Sequence, residues 1–165
     1  MQHYSINHSF KRKNMGVNEL ITNIGLEFAL ELELNEDGVA SLIINDNFEV
    51  EFEYVESVDT LFISSALPPL EGKGNEGVYK ALLDANLYGQ KTGGAVFARD
   101  ERTQEIILFF KVEAGKVTYG EFKEAMTQYL DVRDQWTTTF EGLVNTQDTP
   151  SDTTTELNFN HALRV

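Results

Sequence analysis

The stretch GVYKALLDANLYGQKTGGAVFARDERTQEIILFFKV, residues 77–112, decides the fold. Its first part has helical spacing: Val78, Leu82 and Ala85 fall on one stripe, and Tyr79, Leu83 and Leu87 on a second. A surface helix buries one stripe, so the second predicts a further contact, with another copy of the chain as a candidate. Gly93-Gly94 ends the helical pattern, because glycine tolerates the positive φ of a helix-to-strand turn. Ala95-Val96-Phe97-Ala98 then starts a strand, Arg99 to Thr103 make a hairpin turn, and Gln104 to Val112 return as its partner. In that partner, Ile106 to Phe110 put apolar groups on both faces. Both faces are therefore expected to be covered, or one to be adhesive.

Upstream, Asn14 is a candidate cap for a short helix with Val17, Leu20, Ile21 and Ile24 on one face and Gly25 near its end. The run Phe28 to Leu34 alternates Leu30, Leu32 and Leu34 with Glu31 and Glu33, which predicts a strand. Asp37-Gly38 marks a turn, Val39 to Asn45 a strand and Asp46-Asn47 a second turn. Phe48, Val50, Phe52 and Tyr54 alternate with Glu49, Glu51 and Glu53, the period of a half-buried strand. Leu61 to Leu67 reads as the next strand, stopped by Pro68-Pro69. Short turns between these strands imply an antiparallel meander.

Downstream, Thr118 and Glu121 form a capping-box pair at the head of a long helix reaching about Val144. Phe122, Met126, Tyr129, Trp136, Phe140 and Leu143 keep helical spacing along it, most simply as core. The expectation is one α+β domain over residues 15–144, order α-βββ-α-ββ-α, with an antiparallel sheet flanked by helices. Residues 1–14 read as a loose arm and residues 145–165 as a disordered polar tail.

With 13 Lys and Arg against 27 Asp and Glu, the net charge is −14, which disfavours nucleic acid as a partner. No Lys or Arg occurs between Lys13 and Lys73. An acidic solvated face accounts for this most simply; a surface for a basic partner is the alternative. No run is long and apolar enough to insert in a bilayer, and no secretion signal is visible. The absence of cysteine removes thiol chemistry and fits a reducing cytoplasm.

Catalytic signals are poor. His3, His8 and His161 all fall in the expected loose ends, so none is placed as a base or metal ligand. Gly72-Lys73-Gly74-Asn75-Glu76-Gly77 matches G-x-G-x-x-G, but Pro68-Pro69-Leu70-Glu71 separate it from the preceding strand and no βαβ unit follows. Asn35-Glu36-Asp37-Gly38 lacks the ligand spacing of a calcium loop. No cofactor, metal or catalytic residue is expected. What remains is apolar surface beyond the needs of one small core.

The element order, the run Ala81-Leu82-Leu83-Asp84-Ala85-Asn86-Leu87 with Gly93-Gly94 and AVFA after it, and the long last helix resemble the class I type III secretion chaperones, the Tir-chaperone or CesT-like family, over about Gly16 to Leu143. The resemblance implies a cytoplasmic bacterial homodimer that binds an extended segment near an effector's N-terminus and keeps it soluble, without ATP hydrolysis. The partners it implies are a secreted effector or translocator protein and the secretion ATPase. On resemblance and amphipathicity, Val17, Leu20, Ile21, Ile24, Leu42 and Ile44 are candidates for the effector groove, and Leu83, Leu87, Val96 and Phe97 for the dimer contact. Ordinary core burial competes for every one of them. An adaptor of the same fold unrelated to secretion is the rival reading.

Overall fold

A computed structural model of the chain describes residues 16–70 and 75–147. The N-terminal arm with Asn14, the three histidines, Gly72 to Gly74 and the tail from residue 148 lie outside the described residues. The order is α1 (Val17–Glu27), β1 (Val39–Ile44), β2 (Phe48–Val55), β3 (Thr60–Ala66), α2 (Glu76–Asn86), β4 (Val96–Arg99), β5 (Ile106–Glu113) and α3 (Tyr119–Gln147). This is the expected α+β order. The five strands form one antiparallel sheet, β1-β2-β3-β5-β4.

Local chemistry sets the boundaries. The three-residue β1–β2 turn, Asn45 to Asn47, has Asn45 and Asp46 both at positive φ, which Asn and Asp tolerate, and Asn47 N closes it on Ile44 O at 3.0 Å. The Asn35 side chain accepts from the amides of Asp37 and Val39 and so starts β1. Asp100 does the same for Arg102 in the β4–β5 turn. At α3 the capping box is closed: Thr118 N donates to the Glu121 carboxylate at 2.8 Å, and Glu121 N to Thr118 Oγ1 at 3.3 Å. The helix runs to Gln147, past its expected end at Val144.

One expected strand is absent. Phe28 to Leu34 joins no ladder. Ala29 turns the chain at φ 57°, and Leu30 N bonds back to Gly25 O at 3.0 Å. The segment packs by placing Leu32 against Gly25, where a β-carbon would lie 2.6 Å from that of Leu32. Alternation survives in burial, with Leu32 buried between exposed Glu31 and Glu33, because a chain can alternate without a strand beside it.

The core lies on one face of the sheet. Leu42, Val50, Phe52, Leu61, Ile63 and Leu108 point into it from the strands, and α1, α2 and α3 close it with Leu20, Ile21, Val78, Leu82, Phe122 and Phe140. The α3 stripe is held at both ends. Tyr129 Oη donates to Leu108 O at 2.9 Å and meets Ser65 Oγ at 2.7 Å, while Trp136 stands edge-on to Phe97 and donates to Lys91 O. The opposite face carries Glu49, Glu51, Glu53, Phe62, Ile107 and Phe109, all exposed or half-buried.

Candidate polypeptide-binding surfaces

The structure separates the candidate residues. Leu20, Ile21, Ile24, Leu42 and Ile44 are buried in the chain's own core, and Val17 is half-buried against it. As a groove open to a partner, this set is therefore corrected: an amphipathic stripe marks burial, and here the chain itself does the burying. On α1, on β1 and in the segment that follows α1, apolar side chains do face outward. Leu26 is 64% exposed, Phe28 38% and Leu30 46%, and Ile43 on β1 is 64% exposed. Among the described residues β1 pairs only with β2, so one of its edges has no described strand beside it. That edge can accept main-chain hydrogen bonds from an extended segment.

The second stripe of α2 is also open. Leu83 is 70% exposed, and Leu87 and Tyr88, in the 3-10 turn after α2, are 63% and 87% exposed. Tyr88 is held at φ 57°, unusual for a bulky residue, as the chain leaves the helix. Val96, 38% exposed, lies on β4 opposite Phe109 on the open face of the sheet. Phe97 differs: it is 6% exposed and packed on Trp136, so it belongs to the core. Asn86 joins these parts. Its side chain accepts from Phe97 N at 2.8 Å and donates to Phe97 O at 3.0 Å, which occupies the outer edge of β4 as a neighbouring strand would. On β1 a comparable clip covers only the first residue of the outer edge, where Asn35 Oδ1 accepts from Val39 N and Asn35 N donates to Val39 O at 2.8 Å; none covers Ser41 or Ile43 among the described hydrogen bonds.

A third surface was not foreseen. The β2–β3 ladder runs only from Val55↔Thr60 to Glu51↔Ser64. Beyond it, among the described residues, Phe48 to Val50 pair with β1 alone, and Ser65 and Ala66 with β5 alone. The two strands part like a fork over a pocket of about 540 Å³. Arg133 of α3 lines it, 4% exposed, with its guanidinium 3.4 Å over the Phe48 ring. Among the described residues its Nε has no hydrogen-bond partner, and Asp134 lies 3.6 Å from a terminal nitrogen, beyond hydrogen-bond length. Burial pushes the Arg133 pKa below its ordinary value, with Asp134 and Glu141 acting against that shift. Sequence did carry a signal, since Arg133 follows Tyr129 by four and precedes Trp136 by three, inside the buried stripe.

Other perturbed groups hold the fold. Burial pushes the Tyr129 hydroxyl up to about 12, with the Ser65 hydrogen bond opposing. Glu27 is held below the usual carboxylate range by Lys123 at 2.7 Å and by the Tyr119 hydroxyl. Among the described residues no cluster of His, Asp or Glu could hold a metal ion, and no helix is long and apolar enough to cross a membrane.

The profile of the Tir chaperone protein (CesT) family matches residues 19–137. The chain belongs to that family. Its fold is similar to a chain of the ExsC–ExsE complex at 23% identity and TM-score 0.65, covering 74% of this chain and 95% of that one. The HopA1–SchA chaperone–effector complex gives 17% identity and TM-score 0.61 over 72% and 91%. A complex of the Yersinia pestis type III secretion chaperone SycH with a fragment of YscM2 gives 20% and 0.53 over 76% and 98%. No curated protein matches this CesT-family chain at a significant level.

Proposed function

We propose that this chain is a type III secretion chaperone that holds an extended N-terminal segment of an effector soluble and ready for export, without catalysis, as a homodimer in the bacterial cytoplasm. The family match across residues 19–137 carries the reading. The physical surface agrees with it. An unpaired β1 edge offers main-chain hydrogen bonds, and Leu26, Phe28, Leu30 and Ile43 offer apolar contacts in place of the buried residues first expected to line a groove. Leu83, Leu87 and Val96 are the dimer contact in this reading, with Phe97 supporting them from the core. The secretion ATPase is the further partner this role implies. The family assignment disfavours an adaptor unrelated to secretion.

Co-expression with a candidate effector tests the proposal. The effector should become soluble and co-purify with about two copies of this chain, and deleting its N-terminal segment should abolish both effects. An effector that stays insoluble, or whose rescue survives that deletion, would overturn it.

A further inference from the structure

The fork between β2 and β3 has features that ordinary packing does not require. Arginine is among the residues least often buried without a partner, since a desolvated charge is costly unless paired. Arg133 nevertheless stands at the fork with, among the described residues, an unpartnered Nε and no carboxylate within hydrogen-bond distance. Phe48 stacks on one face of the guanidinium and holds it in place. Around the opening the charge is mostly of the other sign: Glu49, Glu51, Glu105 and Glu141 line it and are exposed, and half-buried Asp100 adds to them, against one further cation, exposed Arg102. The two strands that border the opening no longer pair with each other there, which leaves main-chain groups facing the gap.

These observations select an occupant. A free anion would suit Arg133 but would meet four glutamates at the rim. A lone cation would suit the rim but would meet Arg133. An extended peptide satisfies both, with a neutral main-chain carbonyl accepting from Arg133 and a Lys or Arg side chain lying among the glutamates. We propose that the β2–β3 fork is a second peptide-binding site, which takes an extended segment of a partner polypeptide through one carbonyl and one basic side chain. The site deepens the reading that this chain holds extended polypeptides and rests on it. It is distinct from the β1 edge, because β1 lies on the far side of β2 from β3.

The probe is a blocked tripeptide, acetyl-Thr-Lys-Thr-amide, with the Thr-Glu-Thr and Thr-Gln-Thr analogues as controls. Each is titrated into the isotope-labelled full chain and followed by NMR. The lysine peptide should shift the Arg133 Nε–H signal and the amides of Phe48, Glu49, Ser65 and Ala66. The glutamate peptide should not. Glu49→Gln with Glu141→Gln, both at exposed positions, should raise the Kd of the lysine peptide about five- to tenfold, as expected for two rim charges. No shift at saturation, equal shifts with the glutamate peptide, shifts confined to β1, or an unchanged Kd in the double variant would each overturn the proposal. Peptide binding at the fork with no rescue of any effector would refute the chaperone reading instead, so the two failures are separable.

Discussion

Replacing Leu83 by Asp discriminates between a helix that faces water and one that faces a second copy. In the single chain Leu83 is 70% exposed, so a carboxylate there meets solvent and the fold should persist. In a dimer joined through α2 the remaining leucine surface is covered. With roughly 2 to 3 kcal/mol for complete burial of a leucine, covering that share contributes nearly 2 kcal/mol per chain. A two-fold contact uses the same patch on both chains, so the substitution removes it twice, about 3 to 4 kcal/mol. That alone raises the dimer Kd by roughly 300-fold, and a buried unpaired carboxylate adds to it. Light scattering across a concentration series is the assay, with circular dichroism as the control for folding. The expected result is a folded monomer, more completely so when Val96→Asp is added. A dimer mass unchanged by both substitutions would refute the interface.

Phe97→Ala should behave differently, losing about 3 to 5 kcal/mol of stability in urea, because Phe97 is core against Trp136. Asn86→Ala removes both hydrogen bonds to Phe97 and should cost about 1 to 3 kcal/mol, with faster amide exchange at Phe97. The lowered pKa of Glu27 gives stability that is present above the unfolded carboxylate pKa and lost as pH falls through the folded one. Glu27→Gln should therefore flatten the acid limb of a thermal-melt profile while leaving its alkaline limb unchanged. Tyr129 has the opposite sign of shift. Its contribution is complete below the unfolded tyrosine pKa and fades as pH rises toward about 12, so Tyr129→Phe should melt with a shallower alkaline decline.

Element order was legible because period and punctuation agreed: alternating Phe48 to Tyr54, Pro68-Pro69 and the Thr118–Glu121 box each fixed a boundary through local chemistry. Phe28 to Leu34 misled because alternation reports two unlike faces and does not report a hydrogen-bonded neighbour. The second stripe of α2 was read correctly as surplus apolar surface, since Leu83 and Leu87 remain exposed after folding. The α1 face was not a groove, because its stripe meets α3 and the sheet within the same chain. Arg133 was passed over because it interrupts an aromatic stripe. A charge at that register position can be recognised from spacing, but its stacking on Phe48 depends on a contact across the fold.

Amide hydrogen exchange of the full chain, alone and with the N-terminal segment of a cognate effector, measures polypeptide capture most directly. Slowed exchange should appear from Leu26 to Ile44, where the exposed apolar residues and the unpaired β1 edge lie. Unchanged exchange across that stretch in a stable complex would contradict the account.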